Sequence, residues 1–172
     1  MSADSAVTKT EALGLSDEEF LRQFETCTLP YVHWTHRAHL RVVYCYVTRY
    51  GLADSIPKVT AGIRAYNRSQ NIVDTPTSGY HETMTVAWLH IVAAMLDVYG
   101  PSGAITPDSS PLLDAGAPPS QEFLAAQTQL TEKKLLRLFY SRDRFLSPEA
   151  KYHFVAPDLA PLPKGSGALT PS

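Results

Sequence analysis

Three of the chain's six histidines lie within ten residues, 31–40, which read YVHWTHRAHL, at successive spacings of three. Imidazole titrates near neutral pH and is also the commonest side-chain ligand of metals. Thr35 is a suitable N-cap, so His36 and His39 are predicted to share one helix face about one turn apart. His33 precedes that cap, and helical periodicity predicts no direction for its side chain.

A fourth histidine, His81, opens the segment YHETMTVAWLHIVAAMLDVYG, whose periodicity predicts a helix with Trp88 and Met95 on the same face as His81. One further predicted helix lies between this helix and the helix of His36 and His39. Because consecutive helices alternate in direction in an up-and-down bundle, the two histidine helices run parallel and their N-termini lie at one end. We therefore expect His36, His39 and His81 to converge.

Three converging imidazoles with an open coordination position are a known pattern of catalytic metal sites. We predict that His36, His39 and His81 bind a divalent metal ion, and nitrogen-rich ligation allows Zn, Fe, Cu or Ni. The side chain of Glu82 points about 100° away from that of the adjacent His81 around the helix axis, so the two cannot share one direction. Its predicted role is therefore to transfer a proton or to orient a ligand.

Two further side chains are candidates for catalysis or substrate contact: Tyr80, at the start of the predicted helix that contains His81, and Arg142, in the segment YSRDRF. Each candidate also has a simpler interpretation. An inward histidine is commonly a hydrogen-bonded core residue, a first-turn glutamate complements the helix dipole, and an arginine commonly forms an ion pair.

Three functions remain open at this point. The favoured hypothesis is a metal-dependent enzyme that acts on a small molecule, as a hydrolase, lyase or oxygenase. The second is metal-free acid–base catalysis by a histidine and Glu82 on an anionic substrate held by Arg142. The third is a helical binding module without catalysis.

The elements that must position these residues are all predicted to be helices, because no strand alternation or repeat occurs in the sequence. Capping and breaking signals predict a bundle of four main helices with additional short C-terminal helices. The signals that begin the helices are Ser16 with Glu19, Thr35, Asp54 or Ser55 with Pro57, the segment from Tyr80, Ser120, Thr131, and Ser147 with Pro148. Those that end them are Pro30, Gly51 and Gly100.

Residues 15–163 are predicted to form a single domain. Residues 1–14 have the composition of a disordered N-terminus, and 164–172 that of a flexible tail. Residues 101–119, rich in Pro, Ser, Gly and Ala, are predicted to be an irregular insertion or a lid.

Composition narrows the class of partner to a small molecule. A net charge of −2 over 172 residues predicts no nucleic-acid surface, and the apolar stretches are too short to cross a membrane. With only two cysteines, which have no paired-ligand spacing, and no recognisable leader segment, the expected location is the cytoplasm, with both thiols reduced. Residues 132–151 carry six basic and three acidic side chains. This end of the chain therefore either faces an anionic ligand or consists of solvated helix faces.

Two motifs, T-H-x-x-H-L at 35–40 and Y-H-E-T at 80–83, resemble those of a group of small bacterial helical proteins. The resemblance covers roughly residues 16–163 and implies that the two motifs form one unit, with His33 outside it. It implies no particular activity. At the level of fold, the chain is also similar to the DinB-like bundles, in which three histidines from different helices hold a divalent ion.

Overall fold

The structure is a computed structural model that describes residues 14–103 and 117–166. These residues form helices and no strand, which confirms the predicted all-α class. Four of the described helices have eight or more residues. The helices are α1 (Asp17–Glu25), α2 (His36–Ser69), α3 (Glu82–Tyr99), α4 (Pro119–Ala126), α5 (Arg142–Phe145) and α6 (Pro148–Tyr152), with 3-10 turns at Tyr31–His33, Thr128–Thr131 and Lys133–Leu138.

A break at Gly51 divides α2 into the two helices that the sequence predicts. Gly51 has φ +74°, in the region that disfavours side chains with a Cβ. The second half then begins at once, rather than at Asp54 or Ser55, and the Ser55 hydroxyl donates to the Gly51 carbonyl. The predicted boundary is right, but no separate loop is needed.

The two halves of α2 pack on α3 in opposite directions. In the first half, His36 contacts Trp88 and the Tyr44 hydroxyl donates to the carbonyl of Pro101, just beyond α3, so the two helices run parallel. In the second half, Arg64 pairs with Glu82 at the start of α3, so this half runs antiparallel. The helix starts that carry the histidines therefore lie at one end.

The first half of α2 is buried on nearly every side, because α1, α3 and α4 all pack against it. Even Arg41 is enclosed, and its guanidinium binds Asp17 and Ser120. Cys45, which periodicity places off the inward face, is also buried, and burial raises the pKa of its thiol. The predicted inward stripe is too narrow because it assumes a helix with one solvated face.

The C-terminal helices are shorter than predicted. The helix expected from Ser120 to Leu130 spans Pro119–Ala126, because the Gln127 amide donates to the Gly103 carbonyl and the backbone leaves helical geometry there. The helix expected from Thr131 is a 3-10 turn, and the last one ends at Tyr152 rather than near Val155. The short α5, capped by Ser141, is an addition.

An extended strap follows α6 and closes the described chain against α3. Gly165 lies so near α3 that an added Cβ would stand 2.3 Å from the Ala94 nitrogen. Ser166 donates its N–H to the Asp97 carboxylate, so residues 164–166 of the predicted flexible tail are held here. The remaining tail, residues 1–13 and most of the predicted insertion (104–116) lie outside the described residues. Within the described residues 14–103 and 117–166, no helix is long and apolar enough to cross a bilayer.

Candidate functional site

Two adjoining cavities lie where the starts of α2 and α3 meet. The inner cavity, of about 330 Å³, is lined by Asn67, His81 and Lys151 among others. The aromatic cavity, of about 320 Å³, is lined by Trp34, His36 and Trp88 among others. Both cavities share five residues: His39, Ile63, Met84, Thr85 and Phe145. His39 thus lies at the junction between the two spaces.

His39 keeps one ring nitrogen available. Its Nδ1 lies 2.7 Å from the Thr35 carbonyl, which can only accept a hydrogen bond, so Nδ1 carries the proton. Nε2 is then an acceptor, and it has no hydrogen-bond partner among the described residues. Burial lowers the pKa of His39 to about 4, with smaller effects from His36 and the positive charge of Lys133. The ring therefore stays neutral at neutral pH.

His36 lies beside the same cavity wall but is tied to the backbone. Its Nε2 donates to the carbonyl of Leu130 at 3.1 Å, and its ring packs at 5.0 Å from that of Trp88. Burial lowers its pKa, and Lys133 adds to the effect. His36 thus has its lone pair on Nδ1.

His81 is the N-cap of α3 rather than a residue of its first turn. Its Nδ1 accepts the N–H of Met84 at 3.2 Å, and its Nε2 donates to the carbonyl of Phe145 at 3.1 Å. The ring also stacks on Phe145, with 4.8 Å between centroids. Both nitrogens are therefore occupied, and burial together with the charge of Lys151 lowers the pKa of the ring.

The predicted metal site therefore has its three residues in adjoining cavities, but both nitrogens of His81 and one nitrogen each of His36 and His39 are already hydrogen-bonded. Within residues 14–103 and 117–166, no three His, Cys, Asp or Glu side chains are grouped so that they could hold a metal ion. A metal bound by His36, His39 and His81 would have to displace the helix cap of His81. The three-histidine metal centre stays a prediction.

Glu82 and Tyr80 pair with each other rather than with the histidines. The Tyr80 hydroxyl donates to the Glu82 carboxylate at 2.8 Å and lies 3.1 Å from the Thr60 hydroxyl. Arg64 stands 3.6 Å from the same carboxylate and covers the Tyr80 ring. Burial raises the pKa of Tyr80 to about 12. Glu82 does not line either cavity, although Tyr80 forms part of the inner cavity's wall.

Arg142 lines a third space, the basic cleft, of about 750 Å³. The other basic residues of this cleft are Lys133, Lys134 and Arg137. Arg142 does not line the inner or the aromatic cavity, so it is not beside the histidines. Lys133, however, lines both the basic cleft and the aromatic cavity, and thereby joins the two.

Two residues of the inner cavity were not among the candidates from sequence. Asn67 is only 8% exposed, and its amide oxygen is a buried atom without a hydrogen-bond partner in the described part of the chain. Asn67 follows Ile63 by four residues, so the inward stripe of its helix could have indicated this polar side chain.

Lys151 is the second, at 4% exposure. Its ammonium donates to the carbonyls of Ser78, at 2.8 Å, and Tyr80, and no carboxylate of the described residues pairs with it. A buried cation normally has a counter-ion, since its desolvation is expensive. No sequence signal distinguishes Lys151 from its neighbours, because it lies in a five-residue helix.

Comparison of the chain with protein-family models, with curated proteins and with solved structures finds no match. The motif resemblance therefore stays a prediction.

Proposed function

We propose that the protein binds a small anionic molecule in the inner cavity and transfers a proton to or from it through His39, without a metal ion. One observation carries the proposal. Among the described residues, the buried Lys151 ammonium has no carboxylate partner and the buried Asn67 oxygen has no donor, and both groups line the same cavity as the available Nε2 of His39. A bound anion would supply the missing counter-charge.

These groups define the chemistry of the ligand. Lys151 uses two of its three N–H donors on backbone carbonyls, which leaves one for an anionic oxygen. The Asn67 oxygen can only accept, so the ligand also needs a hydroxyl or amino group. A cavity of about 330 Å³ is at the lower end of the range for ligand sites. The substrate class is a small carboxylate or similar anion with a hydroxyl or amino group.

His39 is the proposed base because its imidazole is neutral and its lone pair has no partner in the described part of the chain. A pKa of about 4 makes it a weak base in the free protein. A bound anion nearby favours the imidazolium form and raises this pKa towards its ordinary value. Proton transfer therefore becomes effective only when the substrate is present. This differs from the pairing of a histidine with Glu82 and Arg142 that the sequence suggests.

Hydroxypyruvate is a suitable probe, since it combines a carboxylate, a hydroxyl and acidic protons on the carbon between hydroxyl and carbonyl. Calorimetric titration in the presence of a chelator should show binding to the wild type. Lys151→Met should weaken it roughly 10- to 100-fold, the effect of losing one charged hydrogen bond. Asn67→Leu should also weaken it. Lys58→Met, at an exposed lysine, is the matched control and should change nothing. Equal affinity in the Lys151 and Lys58 variants would sink the proposed binding mode.

Catalysis is tested separately from binding. In D2O the protein should accelerate exchange of the acidic protons of hydroxypyruvate, followed by proton NMR. His39→Asn keeps a donor for the Thr35 carbonyl but removes the base, so exchange should fall roughly 100-fold or more while binding persists. If the wild type and this variant exchange the protons equally fast, the protein is a binding module and not an enzyme of this kind.

A further inference from the structure

We propose that the ligand carries a second anionic group, a phosphate or diphosphate ester, which binds in the basic cleft. The proposal rests on the proposed function in one respect, because it takes the occupant of the inner cavity to be a small molecule. It extends that function by assigning a site for the other end of the same molecule.

Four cations line the cleft, and no carboxylate of the described residues forms an ion pair with any of them. Lys133, Lys134, Arg137 and Arg142 are exposed, and none makes an ion pair or side-chain hydrogen bond with a described residue. No Asp or Glu within residues 14–103 and 117–166 lines the cleft. Because the whole chain has a net charge of −2, this concentration of one sign is a local property of the cleft.

The arrangement of the spaces favours a small molecule over an extended polyanion. The basic cleft shares Lys133, Leu136, Met84 and Phe145 with the aromatic cavity. The aromatic cavity in turn meets the inner cavity at His39. A ligand that reaches from the cations to His39 has to fit among the side chains that line these spaces, which favours a small molecule over a nucleic acid or a folded protein.

A phosphate group fits the cations better than a carboxylate does. A phosphate monoester carries a charge of about −1.5 to −2 at neutral pH and three acceptor oxygens. The two arginines offer forked donors for bidentate contacts, and the two lysines add point charges. One carboxylate would neutralise only one of the four cations, whereas a diphosphate can engage several at once.

Inorganic pyrophosphate is the probe for this site, titrated calorimetrically at constant ionic strength. The double variant Lys134→Ala/Arg137→Ala leaves the inner and aromatic cavities intact, because neither residue lines them. We expect the wild type to bind one pyrophosphate per chain and the double variant to bind it at least tenfold more weakly. The matched control Lys58→Ala/Arg68→Ala removes two exposed cations elsewhere and should leave the affinity unchanged.

Three results would overturn the proposal: no binding of pyrophosphate, equal weakening in both double variants, or tighter binding of a single-stranded oligonucleotide that the cleft variant abolishes. A different set of results would contradict the proposed function in the inner cavity. In that case hydroxypyruvate fails to bind, or binds irrespective of Lys151→Met, while the pyrophosphate results stand. If only the proposal for the cleft is wrong, hydroxypyruvate binding still depends on Lys151 and the cleft variant has no selective effect.

Discussion

His81 shows how one residue can be prominent in sequence and still have a structural role in the folded chain. It caps α3 with one nitrogen and binds the Phe145 carbonyl with the other. The pairing of His36 with His39 was predictable because Thr35 caps their helix. The hydrogen-bond partners of the ring nitrogens were not predictable, since the carbonyl that His36 binds, Leu130, is 94 residues away and the one that His81 binds, Phe145, is 64 residues away.

His81→Ala should lower the free energy of unfolding by about 1 to 2 kcal/mol, through loss of the cap and of one further hydrogen bond. His81→Asn should recover part of this, because its side-chain oxygen can accept the Met84 N–H. Urea denaturation of the three proteins measures the effect. An alanine variant as stable as the wild type, or an asparagine variant no better than alanine, would show that the cap contributes nothing.

At the scale of elements, the break at Gly51 determines which side chains meet in the cavities. It turns the second half of α2 back along α3, so that Ile63 and Asn67 come to face His39. The sequence predicts this break from a glycine at the end of an apolar stripe. It does not predict the 3-10 turns after α4, because tertiary contacts such as that of Gln127 with Gly103 decide them.

Gly51→Ala should lower the free energy of unfolding by roughly 1 to 2 kcal/mol, since an L side chain at positive φ is strained. Gly14→Ala is the control, because no atom of the described residues lies within 4 Å of the added Cβ. Thermal unfolding followed by circular dichroism compares the two. If both variants melt like the wild type, α2 can form without the left-handed residue.

At the scale of the molecule, the all-α class and the meeting of the two helix starts follow from capping signals and helix count. The identity of the polar groups in the inner cavity does not follow. Lys151 reaches it from a helix near the C-terminus, and only the packed fold brings that helix to the loop of Ser78 and Tyr80. Local periodicity carries no information about contacts of this range.

Acid should destabilise the protein in the pH range in which its buried histidines become protonated. Burial lowers the pKa of His36, His39 and His81 in the folded chain, so the unfolded chain binds more protons as pH falls below 6.5. The contribution of these three histidines to the free energy of unfolding is therefore fully present above about pH 6.5 and is lost as the pH falls below it. For His39, with a folded pKa of about 4, the loss is roughly 2 kcal/mol between pH 6.5 and about 5.

Urea denaturation across this pH range measures the slope. His39→Asn, which cannot titrate, should show a visibly shallower decline than the wild type. The carboxylates whose pKa is lowered, such as Glu19 at about 2, lose their contribution only in more acidic solution, below about pH 4.5. A His39→Asn variant that declines as steeply as the wild type would contradict the assignment to His39.

The two tryptophans of this chain each contact one of these histidines. Trp34 lies 3.9 Å from the His39 ring and Trp88 5.0 Å from the His36 ring, measured between centroids. An imidazolium quenches indole emission more strongly than a neutral imidazole does. The intensity of tryptophan fluorescence should therefore fall as His36 and His39 become protonated. Trp34→Phe and Trp88→Phe would separate the two signals, and the occupancy of the cavities could then be followed without any label.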